Sequence, residues 1–224
     1  IEEANWRMTV YMPLTAAGMR HDSKFMLFIL LAGTLVLALN LIFCKRILKA
    51  VANLKREMFT DDKTGLYNFR MFQTYLQHEF TAAKKRGIPL TLLFLDIDHF
   101  KKINDRFGHQ TGDKILKLVA DQVKRNVRPT DFVARYGGEE IAVICPHTPL
   151  EAGREIALRL GRVVKNCTLD EDGELAQEKI SVSIGIASSF TAQSKEELID
   201  QADKCMYLAK KKGRDRVVSF DEAD

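Results

Sequence analysis

The chain runs to 224 residues, 46% hydrophobic and 29% charged, with 34 basic side chains against 30 acidic ones and a net charge of +4. That length allows one large or two modest domains, and without a basic, aromatic-interleaved surface or a nucleic-acid motif the small positive excess argues against DNA or RNA as a partner. Cys44, Cys145, Cys167 and Cys205 are scattered with no C-x-x-C spacing, and the five histidines show no metal spacing, so a disulfide framework and a zinc site are set aside.

From the N-terminus, Trp6 to Pro13 alternates like a strand ended by proline. With Ile rather than Met at position 1, this predicts that residues 1–24 end an extracytoplasmic sensor domain of a longer protein. Phe25–Cys44 is then twenty residues without a charge, with only Thr34 and Asn40 polar. At about 1.5 Å per residue it spans roughly 30 Å, the thickness of a bilayer's hydrocarbon core. A buried helix of a soluble domain would keep a polar stripe, and a signal peptide would start the chain and precede a small-residue cleavage site. A transmembrane helix over 25–44 is the expectation. Lys45, Arg46, Lys49, Lys55 and Arg56 crowd its C-terminal flank, while Arg20 and Lys24 mix with His21 and Asp22. The positive-inside rule therefore places the residues beyond position 44 in the cytoplasm, anchored at the inner membrane.

Over 45–60, Ile47, Val51, Leu54 and Met58 are spaced by four, three and four. This reads as the seam of a short parallel coiled coil or as the face of a plain juxtamembrane helix. Two heptads are marginal alone, but chains tethered in one membrane meet at high effective concentration.

Helical spacing then marks Phe72, Tyr75, Leu76, Phe80 and Ala83, with Asn68 as cap. A second helix, beginning after Gly112, carries Leu116, Val119, Val123 and Val127. A third carries Ala152, Ile156, Leu160 and Val163, and a fourth runs from about Glu196 to Lys212, stopped by Gly213. Strands are expected at 90–96, 132–136, 141–145, 180–187 and 216–220. This order predicts an α+β fold with a split βαβ sheet and helices on one of its faces.

Two of those strands end in acids. Leu90–Leu95, apolar on both faces, leads into Asp96-Ile97-Asp98, as a central strand would at its ligand-binding edge. Arg135-Tyr136-Gly137-Gly138-Glu139-Glu140 forms the tip of a hairpin whose glycines can take positive φ and admit a ligand to the backbone. Adjacent carboxylates repel unless a positive charge sits beside them. Alone the tip could be a solvated acidic turn, but two acidic tips on adjacent strands suit Mg²⁺, which takes one or two carboxylates and leaves its other positions to water and phosphates. Phosphoryl or nucleotidyl transfer is the reaction class this implies.

The hairpin resembles the hallmark of GGDEF domains, the diguanylate cyclases that condense two GTP into cyclic di-GMP. The resemblance covers about Asp61 to Phe220, through Asp61–Asn68, Asp96–Lys101, Asn104–Asp113, Ser181–Ala187, Ala202-Asp203 with Met206–Lys210, and Gly213-Arg214. It implies a palm-like, ferredoxin-like sheet over 61–224. Three positions depart from the family pattern: Lys63 stands for its usual Leu, Phe69 for Arg and Ile141 for the aromatic after the second acid. Ile141 is expected to point into the core.

By this resemblance, Asp96 and Glu139 ligate magnesium, or manganese in its place, with help from the Ile97 carbonyl. Glu140 joins the metal site or helps take the proton. Gly137 and Gly138 leave room for the α-phosphate, Asn104 and Asp113 read guanine, and His109 lies in the same substrate-binding segment. Lys210 and Arg214 hold phosphates. Asp113 could instead cap a helix, and the two cations could simply favour a helix C-terminus. Arg128 and Asp131 have the R-x-x-D spacing of the family's product-binding inhibitory site, which Arg159 completes; an ion pair at the start of the strand is the plainer reading. The resemblance implies a homodimer with GTP as substrate and cyclic di-GMP as product and inhibitor. The alternative is a catalytically silent receptor for GTP or cyclic di-GMP.

Overall fold

The computed structural model describes residues 23–167 and 179–222, apart from the side chains of 23–25 and 52–57. The strand expected at 6–13 and the Leu54 side chain of the expected seam lie outside the described residues. The chain divides into two units, residues 1–54 and 55–224.

In the first unit lies most of α1 (Ser23–Phe59), one unbroken helix through the expected membrane segment and linker. Met26–Val51 has a mean hydropathy of 2.6, and its large apolar side chains are exposed. Its polar groups close on the helix itself: Thr34 Oγ1 donates to the Leu31 carbonyl at 2.9 Å, and Asn40 Nδ2 to the Val36 carbonyl at 2.8 Å. That is how polar side chains are tolerated where water is absent.

The second unit contains α2 (Phe69–Arg86), β1 (Leu90–Ile97), α3 (Phe100–Phe107), α4 (His109–Arg125), β2 (Phe132–Gly137), β3 (Glu140–Pro146), α5 (Leu150–Lys165), β4 (Val182–Ser188), α6 (Lys195–Lys211) and β5 (Arg216–Ser219). A short 3-10 turn, Phe220–Glu222, comes after β5. The strands form one sheet in the order β2-β3-β1-β4-β5. Central β1 runs antiparallel to β3 and β4, β2 and β3 form the antiparallel hairpin, and β5 joins β4 in parallel.

Every residue of β1 is buried, and the strand's period of two divides its side chains between two cores. Leu93, Leu95 and Ile97 share one with Ile115 and Val119 of α4 and Ile156 and Leu160 of α5. Leu92 and Phe94 share the other with Phe72 and Leu76 of α2 and Leu198 and Met206 of α6. Helices therefore cover both faces of the sheet, not one, because a strand apolar on both sides leaves neither face suited to water.

Asn68 caps α2 as expected, and Ser194, not singled out in the sequence, caps α6. Asn68 accepts from the Met71 N–H at 3.1 Å, and Ser194 accepts from Glu197 N at 3.1 Å. The second expected helix starts earlier than Gly112: α4 begins at His109, and a separate α3 precedes it. Ile141 is buried as expected.

Candidate active site

The sheet register brings the acids together. Asp96 near the end of β1 faces Glu140 at the start of β3, and Glu139 occupies the turn beside it. Gly138 in that turn has φ +49°, where an L side chain would be strained. Arg135 holds the tip: its Nε and Nη2 donate to the Gly138 carbonyl at 2.9 and 2.7 Å, while Nη1 pairs with Asp61 at 2.9 Å. The opening turn and the hairpin tip are thus tied through one guanidinium. Burial alone would raise the Asp61 pKa, but bonds from the Thr64 hydroxyl and N–H and the charge of Arg135 outweigh it and hold it low.

Asp96 is 6% exposed and pairs with Lys210 Nζ of α6 at 2.7 Å. Its pKa is nonetheless raised, by burial first, against the pull of Lys210 and with the push of Glu139 and Asp98. Glu140 is raised too, by burial, then Asp96, with Asp203 and Glu139 adding and Lys210 opposing. Among the described residues no group of three or more His, Cys, Asp and Glu is arranged to hold an ion. A magnesium ion asks for less: two hard carboxylates and a carbonyl, with water and phosphate oxygens for the rest. The buried Asp96 and the half-buried acids beside it repel one another and are chemically suited to such a cation.

The helices that hold the residues expected to read guanine pack against each other. Gly112 is the fourth residue of α4, and a Cβ there would lie 1.8 Å from Asn104 Oδ1, so the missing side chain makes room for the amide of α3. Asn104 Oδ1 is buried and, among the described residues, accepts no hydrogen bond. Asp113 is the fifth residue of α4, whose N-cap position is Gly108 with no side-chain cap, so capping does not explain it. Instead Lys63 Nζ bonds both Asp113 oxygens, at 2.8 and 2.9 Å. His109 is exposed at the start of α4.

Lys210, in the last turn of α6, points to Asp96, while Arg214 lies beyond the helix end with φ +63°. The sequence motifs assigned no role to Lys63, Arg135, Asp98 or Asp203. Asp113 for Lys63, Asp61 for Arg135 and Asp215 for Asp98 lie far along the chain, and only the departure at Lys63 was a signal.

A second cluster sits across the hairpin. The Arg128 backbone N–H, not its guanidinium, donates to Asp131 Oδ2 at 2.8 Å, so a turn bond stands where the plainer reading placed an ion pair. Asp131 Oδ1 is buried and accepts nothing among the described residues. Arg159 donates to the Asn126 carbonyl at 2.9 Å. Burial pushes the Cys145 thiol up, with Asp131 adding to the shift and Arg128 and Arg159 opposing it. A cavity of about 380 Å³ adjoins them, lined by Tyr67, Lys124, Arg128 and Asp131 among others.

The family described as diguanylate cyclase, GGDEF domain, matches residues 58–216. A diguanylate cyclase of Pseudomonas aeruginosa, DgcP, is 40% identical over 163 residues, covering 73% of this chain and 24% of the relative. Another from Vibrio cholerae, VdcA, is 34% identical over 200 residues, covering 89% and 56%. The chain therefore spans well under two thirds of the length of these relatives. Among solved structures, the coiled coil and GGDEF domain of DgcB from Caulobacter crescentus, in complex with c-di-GMP, superposes with a TM-score of 0.73 at 31% identity, covering 83% of this chain and 98% of that one.

Proposed function

This chain belongs to the GGDEF diguanylate cyclase family, and from that premise we propose that it condenses two GTP into cyclic di-GMP, releasing two pyrophosphates. One bound nucleotide cannot form both phosphodiester bonds, so two subunits each present a GTP to the other. The observation that carries the reading is the sheet register that sets Asp96 against Glu140, with Glu139 beside them.

Asp96, Glu139 and the Ile97 carbonyl would hold magnesium or manganese, which when bound polarises the triphosphate and favours ionisation of the attacking 3′-hydroxyl. Glu140, its pKa raised by burial and by Asp96, accepts a proton more readily than an exposed carboxylate and takes it from that hydroxyl. Gly137 and Gly138 let the α-phosphate approach the backbone. Lys210 and Arg214 hold the phosphate oxygens. Asn104 Oδ1 accepts from guanine's N2 amino group and Asp113 from its N1–H. Adenine has neither donor, and leaving the buried Asn104 oxygen unpaired is what makes such a site selective.

Arg128, Asp131 and Arg159 form a site for the product. Support comes from the cavity lined by Arg128 and Asp131 and from the buried Asp131 oxygen that lacks a donor among the described residues. The Met26–Val51 helix anchors the chain in the inner membrane with residues 61–224 in the cytoplasm, on its length, hydropathy and basic flank.

The deciding experiment supplies the full chain with GTP and Mg²⁺ and tracks pyrophosphate and cyclic di-GMP. Release of both supports the cyclase. Nucleotide binding without either product would make the chain a silent receptor.

A further inference from the structure

Resting on the reading of Arg214 as a phosphate-holding residue, we propose that Asp98 is a positioning residue that fixes the turn from which Arg214 reaches the triphosphate. Asp98 lies just past β1 and is 4% exposed. Its Oδ1 accepts from Ser183 Oγ at 2.6 Å, and its Oδ2 accepts from Ser181 Oγ at 2.6 Å and from the Asp215 backbone N–H at 3.0 Å. Its own N–H donates to the Ser181 carbonyl at 2.9 Å. One buried carboxylate thus knots three segments: the end of β1, the start of β4 and the turn after α6.

That turn needs an outside hold. Gly213, Arg214 and Asp215 have φ of 110°, 63° and 48°. Two successive residues with a Cβ in the left-handed region persist only where the surroundings impose it. Within the turn, Arg214 N donates to the Ala209 carbonyl at 3.0 Å and Arg216 Nε to the Arg214 carbonyl at 2.9 Å. From outside, the Asp215 carboxylate pairs with Lys165, both partly exposed, so that contact is weak. The bond from the Asp215 N–H to the buried Asp98 carboxylate is charge-assisted, the stronger kind. It acts one residue from Arg214. The serines satisfy the remaining lone pairs that would otherwise make a buried carboxylate costly. Because Asp96 lies two residues earlier on the same strand, the end of β1 fixes both the acidic corner and the cationic turn.

The test compares wild type, Asp98→Ala, Asp98→Asn, Arg214→Ala and the Asp98→Ala/Arg214→Ala double variant, each as the full chain in detergent. KM and kcat for GTP and equilibrium binding of GTP and guanosine are measured. Asp98→Ala should raise the GTP KM by about tenfold, the loss of one bond to a charged group, while guanosine affinity stays within about twofold. Asp98→Asn keeps an oxygen for the Asp215 N–H and should restore most of the loss. In the Arg214→Ala background, Asp98→Ala should add less than about twofold, as expected of residues acting in series. Multiplying effects, equal losses for GTP and guanosine, or unchanged GTP kinetics in Asp98→Ala would overturn the proposal. If Asp98→Ala does not fold, Ser181→Ala/Ser183→Ala takes its place, with a KM rise that vanishes in the Arg214→Ala background as support and a rise that persists there, or none, as refutation. Wild-type protein that binds GTP no tighter than guanosine would instead refute the phosphate role of Arg214, and the proposal with it.

Discussion

Glu140 meets Asp96 across the β1–β3 ladder, and burial together with that facing charge raises its pKa. A carboxyl raised on folding holds its proton in the folded chain at pH values where the unfolded chain has released it. Its contribution to stability therefore falls as pH rises from the ordinary carboxylate value through the raised one, and is level above it. Glu140→Gln removes that contribution. In metal-free protein at neutral pH the variant should melt about 2 °C above wild type, the shift that roughly 1 kcal/mol of relief would make in a chain of this size. In acid the advantage should vanish, because both side chains are then neutral. A variant that melts below wild type at neutral pH would contradict the repulsion. The same change should cost turnover, as expected where a site is kept at the expense of stability. Glu139→Ala carries the metal assignment: its turnover should drop on the order of 10³-fold, several kcal/mol of barrier. Near-normal pyrophosphate release by that variant would remove Glu139 from the site. At the second cluster, Arg128→Ala should abolish tight cyclic di-GMP binding and spare initial turnover. Calorimetry with the product, beside initial rates, checks both halves of that statement.

At the scale of elements, the site is a consequence of how closely α6 packs on β4. A Cβ on Gly185 would lie 2.1 Å from the Met206 nitrogen and 2.2 Å from the Ala202 carbonyl oxygen. These are backbone atoms, so Gly185→Ala must move the helix, at a cost of about 1–3 kcal/mol. Lys210 rides one turn beyond Met206, and shifting α6 pulls it from Asp96. Thermal melting should fall by about 2–4 °C per kcal/mol, and turnover measured well below the new midpoint should fall by more than tenfold. Melting that falls while turnover holds would uncouple the packing from the site. This level was only partly legible in the sequence. The Leu90–Ile97 run, the Asn68 cap and the stop at Gly213 are local signals, and they landed where expected. The cover on both faces was missed because a helix's apolar stripe does not say which side of a sheet it meets. The alternation of Leu92 and Phe94 with Leu93 and Leu95 held that information. Helix α3 escaped because its eight residues bury only Phe100 fully, too little for a period to register. The acids and the asparagine stood out as motifs. The pairs that aim them, Arg135 with Asp61, Lys63 with Asp113 and Asp98 with Asp215, join residues 74, 50 and 117 positions apart, where no local pattern reaches.

For the whole molecule, the two units have different physical tasks. Residues from 55 onward contain both hydrophobic cores and every candidate site residue. The Met26–Val51 segment is apolar and exposed, as suits lipid. If product formation needs two GTP-loaded subunits, the helix matters through concentration. Confining chains to one membrane would raise their effective concentration above that in solution, to a degree set by their density in the bilayer. Shortening the chain to begin at residue 55 should therefore leave GTP binding intact while making turnover per subunit rise with protein concentration, from near zero in the nanomolar range toward a plateau at micromolar levels or above. The full chain in vesicles should show turnover per subunit that depends on its density in the bilayer and not on dilution of the vesicles. Measuring cyclic di-GMP across a hundredfold dilution of each preparation separates the cases. Turnover per subunit that is flat for the shortened chain would mean that one subunit suffices, and the dimeric mechanism would fall even if the chemistry at Asp96 and Glu139 stood.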